Sequence, residues 1–147
     1  MDIKSYLSGY VDGEGCFCIS FNKSTRHNFG WEIRPSFSVS QNSNRREVLK
    51  IMKQYFRCGS IRPDRSDKTL KYEVRSVKDL VKKIIPHFES VPVLSGKQKD
   101  FEYFSRVCKL IDKKKHFSKE GFNEVLNVAF KMNPSGKRKF SRGEIKI

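Results

Sequence analysis

Apolar residues recur along the chain with two spacings, and these spacings predict the order of its helices and strands. Alternation with a period of two predicts strands over residues 16–22, 32–41, 60–64 and 70–76. Apolar positions three and four apart predict helices over residues 5–12, 44–56, 77–85, 97–111 and 119–131. The order α-β-β-α-β-β-α-α-α predicts an α+β domain with one antiparallel sheet covered by helices on one side.

Each predicted strand has an apolar face and a face of small, polar and charged residues. Phe17, Ile19 and Phe21 alternate with polar positions on the first strand, and Ile33, Pro35, Phe37 and Val39 do so on the second. Four strands that keep this pattern predict a concave sheet whose polar face reads the groove of a duplex. The residues predicted to contact DNA from this face are Ser20, Asn22, Glu32, Arg34, Ser36, Ser38, Arg62, Lys71, Glu73 and Arg75.

Charge supports a polyanionic partner. The 147 residues include 31 Lys and Arg against 16 Asp and Glu, a net charge of +15. Dense Lys and Arg bind phosphates with release of counterions. A chain that is 37% hydrophobic is too apolar for a disordered basic tail. Without an apolar run of the roughly 18 residues that cross a membrane, we expect a soluble intracellular protein with no membrane partner.

The composition of the sequence divides the chain into two regions. Residues 1–132 carry the periodic pattern of one domain, whereas residues 133–147 are rich in Gly, Ser, Lys and Arg and are predicted to form a basic, flexible tail. The four cysteines form no C-x-x-C pair, so thiols that are buried or line the groove are favoured over a metal or redox pair.

A motif at the end of the first predicted helix is the most specific signal in the sequence. Residues 7–15 read LSGYVDGEG. They resemble the signature nonapeptide of the LAGLIDADG homing endonucleases, with Ser8 and Tyr10 as mild departures. The resemblance covers most of residues 5–115 and implies the αββαββα fold of that family, with a saddle-shaped antiparallel sheet backed by helices. Extra helices are then expected at the C-terminus.

Small residues line one face of this first helix, as expected where two helices approach closely. They are Ser5, Ser8, Gly9, Asp12 and Gly13. Because a glycine within a helix costs about 1 kcal/mol relative to alanine, such a face favours an identical helix packed against it. The motif occurs once, and in the resembled family a single copy implies a homodimer with the two helices on the two-fold axis.

Glu14 follows the small-residue face and is the candidate metal ligand. Two such carboxylates near a two-fold axis repel each other unless a divalent cation lies between them. Mg²⁺ suits carboxylate, carbonyl and phosphate oxygens. The resemblance implies the same site, with Glu14 holding the metal and the carbonyl of Gly13 assisting.

The resemblance assigns two further positions, and a third candidate follows shortly after the first of them in the sequence. Gln41 matches a glutamine that orders water near the scissile phosphate, and Lys97 matches the first lysine of a K-Q-K stretch that supports the transition state. Arg45 is a candidate phosphate or water-network residue. Polar surface is the alternative interpretation of each.

Together these residues predict an Mg²⁺-dependent DNA endonuclease that makes a staggered double-strand cut in a long pseudo-palindromic target, of the group I intron or intein homing type. The alternatives are a maturase that binds its own intron RNA and a non-catalytic DNA-binding regulator on the same scaffold. A bacterial cytoplasm or an organelle is the expected location.

Overall fold

The computed structural model describes residues 1–66, 68–133, 136 and 138–147. The first half of the fold follows the motif order α1, β1, β2, α2, β3, β4. These elements are α1 (Ile3–Glu14), β1 (Gly15–Lys23), β2 (Trp31–Asn42), α2 (Glu47–Phe56), β3 (Ser60–Pro63) and β4 (Thr69–Val74). The turn predicted between β3 and β4 includes Asp67, which lies outside the described residues.

The second half is helical. Its elements are α3 (Val77–Asp79), a π-helical turn (Leu80–Ile84), α4 (Ile85–Ser90), α5 (Lys97–Asp112) and α6 (Lys119–Ala129). The αββαββα order and the extra C-terminal helix are therefore confirmed. No helix among the described residues has the length and apolar character needed to cross a lipid bilayer.

The four strands form one antiparallel sheet in the order β1-β2-β4-β3. Phe17 lies opposite Phe37, which lies opposite Val74, so apolar residues share one face of the sheet. All three are at most 1% exposed. The predicted register of apolar and polar faces is therefore confirmed, because a slip of one residue would have placed these rings in solvent.

The helices bury the apolar face of the sheet through a cluster of aromatic rings. The centroid of the Phe17 ring lies 5.3–5.4 Å from the ring centroids of Phe37, Phe88, Phe101 and Phe104. Burial of each such side chain contributes about 1.5–3 kcal/mol. Leu7 and Val11 of α1 are fully buried, so the core fixes the rotation of α1 and decides which of its residues remain outside.

Two predicted helix boundaries are wrong by more than two residues; among the others, α1 extends two residues further at each end than predicted and α6 ends two residues earlier. The helix expected to stop before Pro86 continues to Ser90, because the amide of Ile85 bonds the Leu80 carbonyl in a π turn that accommodates the proline. The helix expected from Asn44 begins at Glu47, since Ser43–Arg45 forms a separate short turn.

The described C-terminal residues are packed rather than loose, in contrast to the flexible tail that composition predicts. Phe140 packs edge-on against Trp31 with ring centroids 4.9 Å apart, and Ile145 is 2% exposed. Arg138 donates to the Ile19 carbonyl at the open edge of β1 (2.6 Å). Apolar residues scattered through this basic segment therefore pack it against the rest of the domain. Pro134, Ser135 and Lys137 lie outside the described residues.

Candidate functional site

The polar face of the sheet carries nearly all of the residues predicted to contact DNA. Cross-strand register places Ser20 opposite Arg34 and Asn22 opposite Glu32, while Ser38 lies opposite Glu73 and Arg62 opposite Lys71. Ser36 continues the same row on β2, and Arg75 follows directly after β4. Arg45 is exposed but lies in the turn after β2, off the sheet.

Ion pairs organise the charges on this polar face. Glu73 Oε1 lies 2.8 Å from Arg62 Nη2 and 3.1 Å from Arg75 Nε, so one carboxylate pairs with two guanidinium groups. Burial raises the pKa of Glu73, but the hydrogen bond from Arg62 and the charges of both arginines lower it overall. Glu73 and Ser38 are each only 8% exposed. Glu73 therefore orients two arginines and leaves their remaining N–H donors for a ligand, since each guanidinium has five.

The C-terminal part of α1 carries Glu14 and is contacted by Gln41 and Lys97, two other predicted cleavage residues. Glu14 is the last residue of the helix and is exposed. One turn earlier, the Tyr10 hydroxyl accepts a hydrogen bond from Gln41 Nε2 at 2.5 Å. Lys97 Nζ donates to the Val11 carbonyl at 3.0 Å. Tyr10 and Val11 precede Glu14 by about one helical turn, so both contacts attach to the last part of the helix that carries this carboxylate.

Asp12 fixes the position of Lys97 from within the same chain. Its carboxylate accepts from the amides of Leu94 (3.1 Å) and Ser95 (3.2 Å) and from the Ser95 hydroxyl. The hydrogen bond from Ser95 lowers the pKa of Asp12. These bonds hold the segment that leads into α5 against the end of α1. The structure therefore engages the predicted interface residue Asp12 within its own chain rather than leaving its carboxylate on the helix surface.

Three of the five predicted interface residues lie on the exposed face of α1. Ser5, Gly9 and Gly13 lie on it, and a methyl group added at either glycine would meet no atom within 4 Å. Tyr6, which is 40% exposed, lies there as well and was not predicted. The assignment of Ser8 to this face is wrong, because Ser8 is 3% exposed and faces the core.

A buried hydrogen-bond network explains the position of Ser8. Its hydroxyl donates to the Val91 carbonyl (2.5 Å), so its oxygen accepts from His87 Nε2 (3.0 Å). The other ring nitrogen of His87 accepts from the Tyr55 hydroxyl (2.9 Å). Burial lowers the pKa of His87 to about 4. This network joins α1 to α2 and α4, and sequence reasoning missed it because residues so far apart in the chain share no pattern.

Steric crowding explains why the last residue of the motif, Gly15, is a glycine. A Cβ on Gly15 would lie 2.9 Å from the Val11 carbonyl oxygen and 2.6 Å from the Val11 side chain. The chain therefore turns from α1 into β1 in a space that admits no larger residue.

The described residues of one chain contain no group of three His, Cys, Asp or Glu side chains able to hold a metal ion. The end of α1 offers one carboxylate, that of Glu14, with the neighbouring carbonyl of Gly13. These hard oxygen donors fit Mg²⁺ or Ca²⁺ only when further oxygens come from a second acidic residue and from phosphate.

Comparison with known proteins identifies the family of the chain. The profile of a family described as LAGLIDADG endonuclease matches residues 7–108. "Probable intron-encoded endonuclease 3" of Neurospora crassa is 35% identical over 127 residues, which are 86% of this chain and 24% of that protein. The chain therefore spans about a quarter of the length of that curated relative.

Solved structures give the same result at the level of the fold. The crystal structure of the homing endonuclease I-TnaI superimposes with a TM-score of 0.83 at 30% identity, over 88% of this chain and 87% of that one. The structure of I-SmaMI, bound to an uncleaved DNA target in the presence of calcium ions, gives a TM-score of 0.86 at 26% identity. It matches 92% of this chain but 46% of its own.

Proposed function

The chain belongs to the LAGLIDADG endonuclease family, and we propose that it cuts both strands of a specific DNA duplex at the two-fold centre of a pair of such domains. The observation that carries the proposal is that Gln41 and Lys97 both bond to the last turns of α1, the helix that ends in Glu14. The strand that follows this helix belongs to a sheet face lined with polar and basic side chains. A protein that only binds DNA has no need for this group of three residues.

The sheet face would bind the duplex in its major groove. Lys71 and the arginines held by Glu73 suit phosphates and guanine edges, while Ser20, Asn22 and Ser36 offer donors and acceptors to the other bases. The charges of the face are paired within the chain at 2.8–3.7 Å. Such pairs fix the side chains before DNA arrives, which reduces the entropy lost on binding.

Glu14 and the Gly13 carbonyl would hold a divalent cation, which we propose to be Mg²⁺, together with the same residues of a second copy. The bound cation would polarise the scissile phosphate and lower the pKa of a coordinated water. Lys97 would stabilise negative charge that develops on the phosphate, since its ammonium is already held at the end of α1 by the Val11 carbonyl. Gln41 would orient water from its position on the Tyr10 hydroxyl.

We propose that the second copy is an identical chain packed through the Ser5, Gly9 and Gly13 face. I-TnaI, matched over 87% of its chain, supports an assembly of domains of this size. I-SmaMI, matched over less than half of its chain, supports the other arrangement, in which a second domain supplies the partner helix. Molar mass in solution, with and without DNA, separates the two.

Cleavage of a plasmid library that carries randomised inserts tests the function. Incubation with Mg²⁺ should linearise a subset of plasmids whose inserts share one long, roughly palindromic sequence, and EDTA should abolish this. Binding of one duplex without any cutting would instead indicate a DNA-binding regulator. Tighter binding of intron RNA than of any duplex would indicate a maturase.

A further inference from the structure

A half-buried guanidinium lies beside the open edge of β1, outside the site described above. Arg138 Nη1 donates to the Ile19 carbonyl (2.6 Å), and Nη2 donates to the Ala129 carbonyl (2.6 Å). The guanidinium also stacks over the Phe130 ring, 4.6 Å from its centroid. Two neutral carbonyls fix its orientation but occupy only two of its five N–H donors.

The charge of Arg138 has no carboxylate partner among residues 1–66, 68–133, 136 and 138–147. Burial lowers the pKa of Arg138, which reflects the cost of holding this cation away from water. The Glu144 carboxylate of the same C-terminal segment is engaged elsewhere, because it accepts the Ser141 amide at 3.0 Å. A partly desolvated cation without a counterion favours an anionic ligand.

A cavity of about 130 Å³ adjoins this guanidinium. Cys18 and Ser20, which line one side, belong to the polar face of the sheet, so the cavity borders the proposed DNA-binding surface. The other lining residues are Phe21 of β1 and, from the C-terminal segment, Asn133, Gly136, Arg138, Lys139 and Phe140.

Two more cations flank the same place. The ammonium groups of Lys23 and Lys139 lie 5.6 and 5.5 Å from the centroid of the Phe140 ring, and Trp31 holds that ring in turn. The C-terminal segment thus concentrates positive charge along the β1 edge of the sheet. Its packing is specific, unlike that of a solvated basic tail.

We propose that this cavity binds a backbone phosphate of the DNA, with Arg138 and Lys139 as its ligands and the Ser20 hydroxyl beside them. The proposal rests on the proposed function, since it extends the same DNA-binding surface beyond the bases that the sheet reads. A contact of this kind positions the duplex and is independent of sequence.

Salt dependence of binding tests the site without knowledge of the target. Wild type, Arg138→Met and Lys139→Ala are titrated with a fluorescent 30-bp duplex of arbitrary sequence in Ca²⁺ at roughly 50–200 mM salt. Methionine keeps most of the length of Arg138 over Phe130 but removes its charge. Lys119→Ala is the matched control, because it removes one exposed charge at the far end of α6, about 15 Å along the helix axis.

Each site variant should make the negative slope of log K against log salt shallower by about 0.9, equally for duplexes of different sequence. Lys119→Ala should keep the wild-type slope. A wild-type slope in Lys139→Ala, or in a folded Arg138→Met, overturns the phosphate site. If Arg138→Met does not fold, the salt dependence of Lys139→Ala alone tests the site, because Lys139 is exposed and its replacement leaves the core intact. Failure of the wild type to bind any duplex would overturn the proposed function itself, which is a different result.

Discussion

The Lys97 ammonium donates to the Val11 carbonyl oxygen at 3.0 Å, across 86 positions of sequence. A cation at the C-terminal end of a helix is stabilised by the partial negative charge of the last carbonyls. The contact places Lys97 within one turn of Glu14, and it does so through the backbone, so that the position of the cation does not depend on the side chain at position 11.

Replacement of Lys97 by methionine should slow cleavage far more than it weakens binding. Loss of one preorganised electrostatic group lowers a catalytic rate by about 10²–10³-fold. Single-turnover cleavage and duplex affinity measure the two effects separately. Lys99→Met is the control, since Lys99 is exposed two residues along the same helix; an equal loss in both variants would contradict the role of Lys97.

Asp12→Asn should destabilise the fold by about 1 kcal/mol near neutral pH, comparable to the loss of a helix cap. Hydrogen bonds lower the pKa of Asp12 in the folded state, so its contribution is present above the ordinary carboxyl pKa and is lost as pH falls through the folded value. Denaturant unfolding at several pH values measures this. The difference between wild type and variant should shrink below about pH 4, and a difference that is constant with pH would contradict the assignment.

His87 predicts a loss of stability with falling pH in a higher pH range than that of Asp12. Its pKa is about 4 in the folded state against 6.5 ordinarily, so the unfolded chain binds the extra proton first. Wild-type stability should therefore fall, by an amount on the order of 3 kcal/mol, as pH decreases from about 6.5 to about 4. His87→Gln, which does not titrate, should show a shallower decline over this range. Identical pH profiles for the two proteins would show that His87 is not held neutral.

Gly9→Ala should act in opposite directions on the chain and on its assembly. The added methyl group meets open space in a single chain. The higher helix propensity of alanine should therefore stabilise the folded chain by about 1 kcal/mol. A helix packed closely against this face would be pushed away by the same methyl group. Thermal unfolding at low protein concentration and molar mass by light scattering measure the two effects. Unchanged association would exclude this face as the interface.

The fold could be predicted from the sequence because the period of the apolar residues fixes which face of each strand is buried. The same alternation placed Ser20, Arg34 and Lys71 on one surface. Glu14, Gln41 and Lys97 followed from the resemblance to a family, not from periodicity.

Contacts between distant segments could not be predicted in this way. Ser8 and His87 are 79 residues apart, and nothing in a helical repeat distinguishes a serine that faces a partner chain from one that bonds a buried histidine. The C-terminal segment shows the same limit. Its composition is typical of a loose tail, but the side chain of Arg138 and the ring of Phe140 dock on β1 and Trp31.

Cleavage by Glu14→Gln tests the central claim most directly. The substitution removes the charge of the proposed metal ligand with little change in shape, and Glu120→Gln, at an exposed position on α6, is the matched control. With a duplex that the wild type cuts in Mg²⁺, Glu14→Gln should bind with near wild-type affinity and produce no cut, while Glu120→Gln cuts normally. Cutting by Glu14→Gln at the wild-type rate would contradict the account.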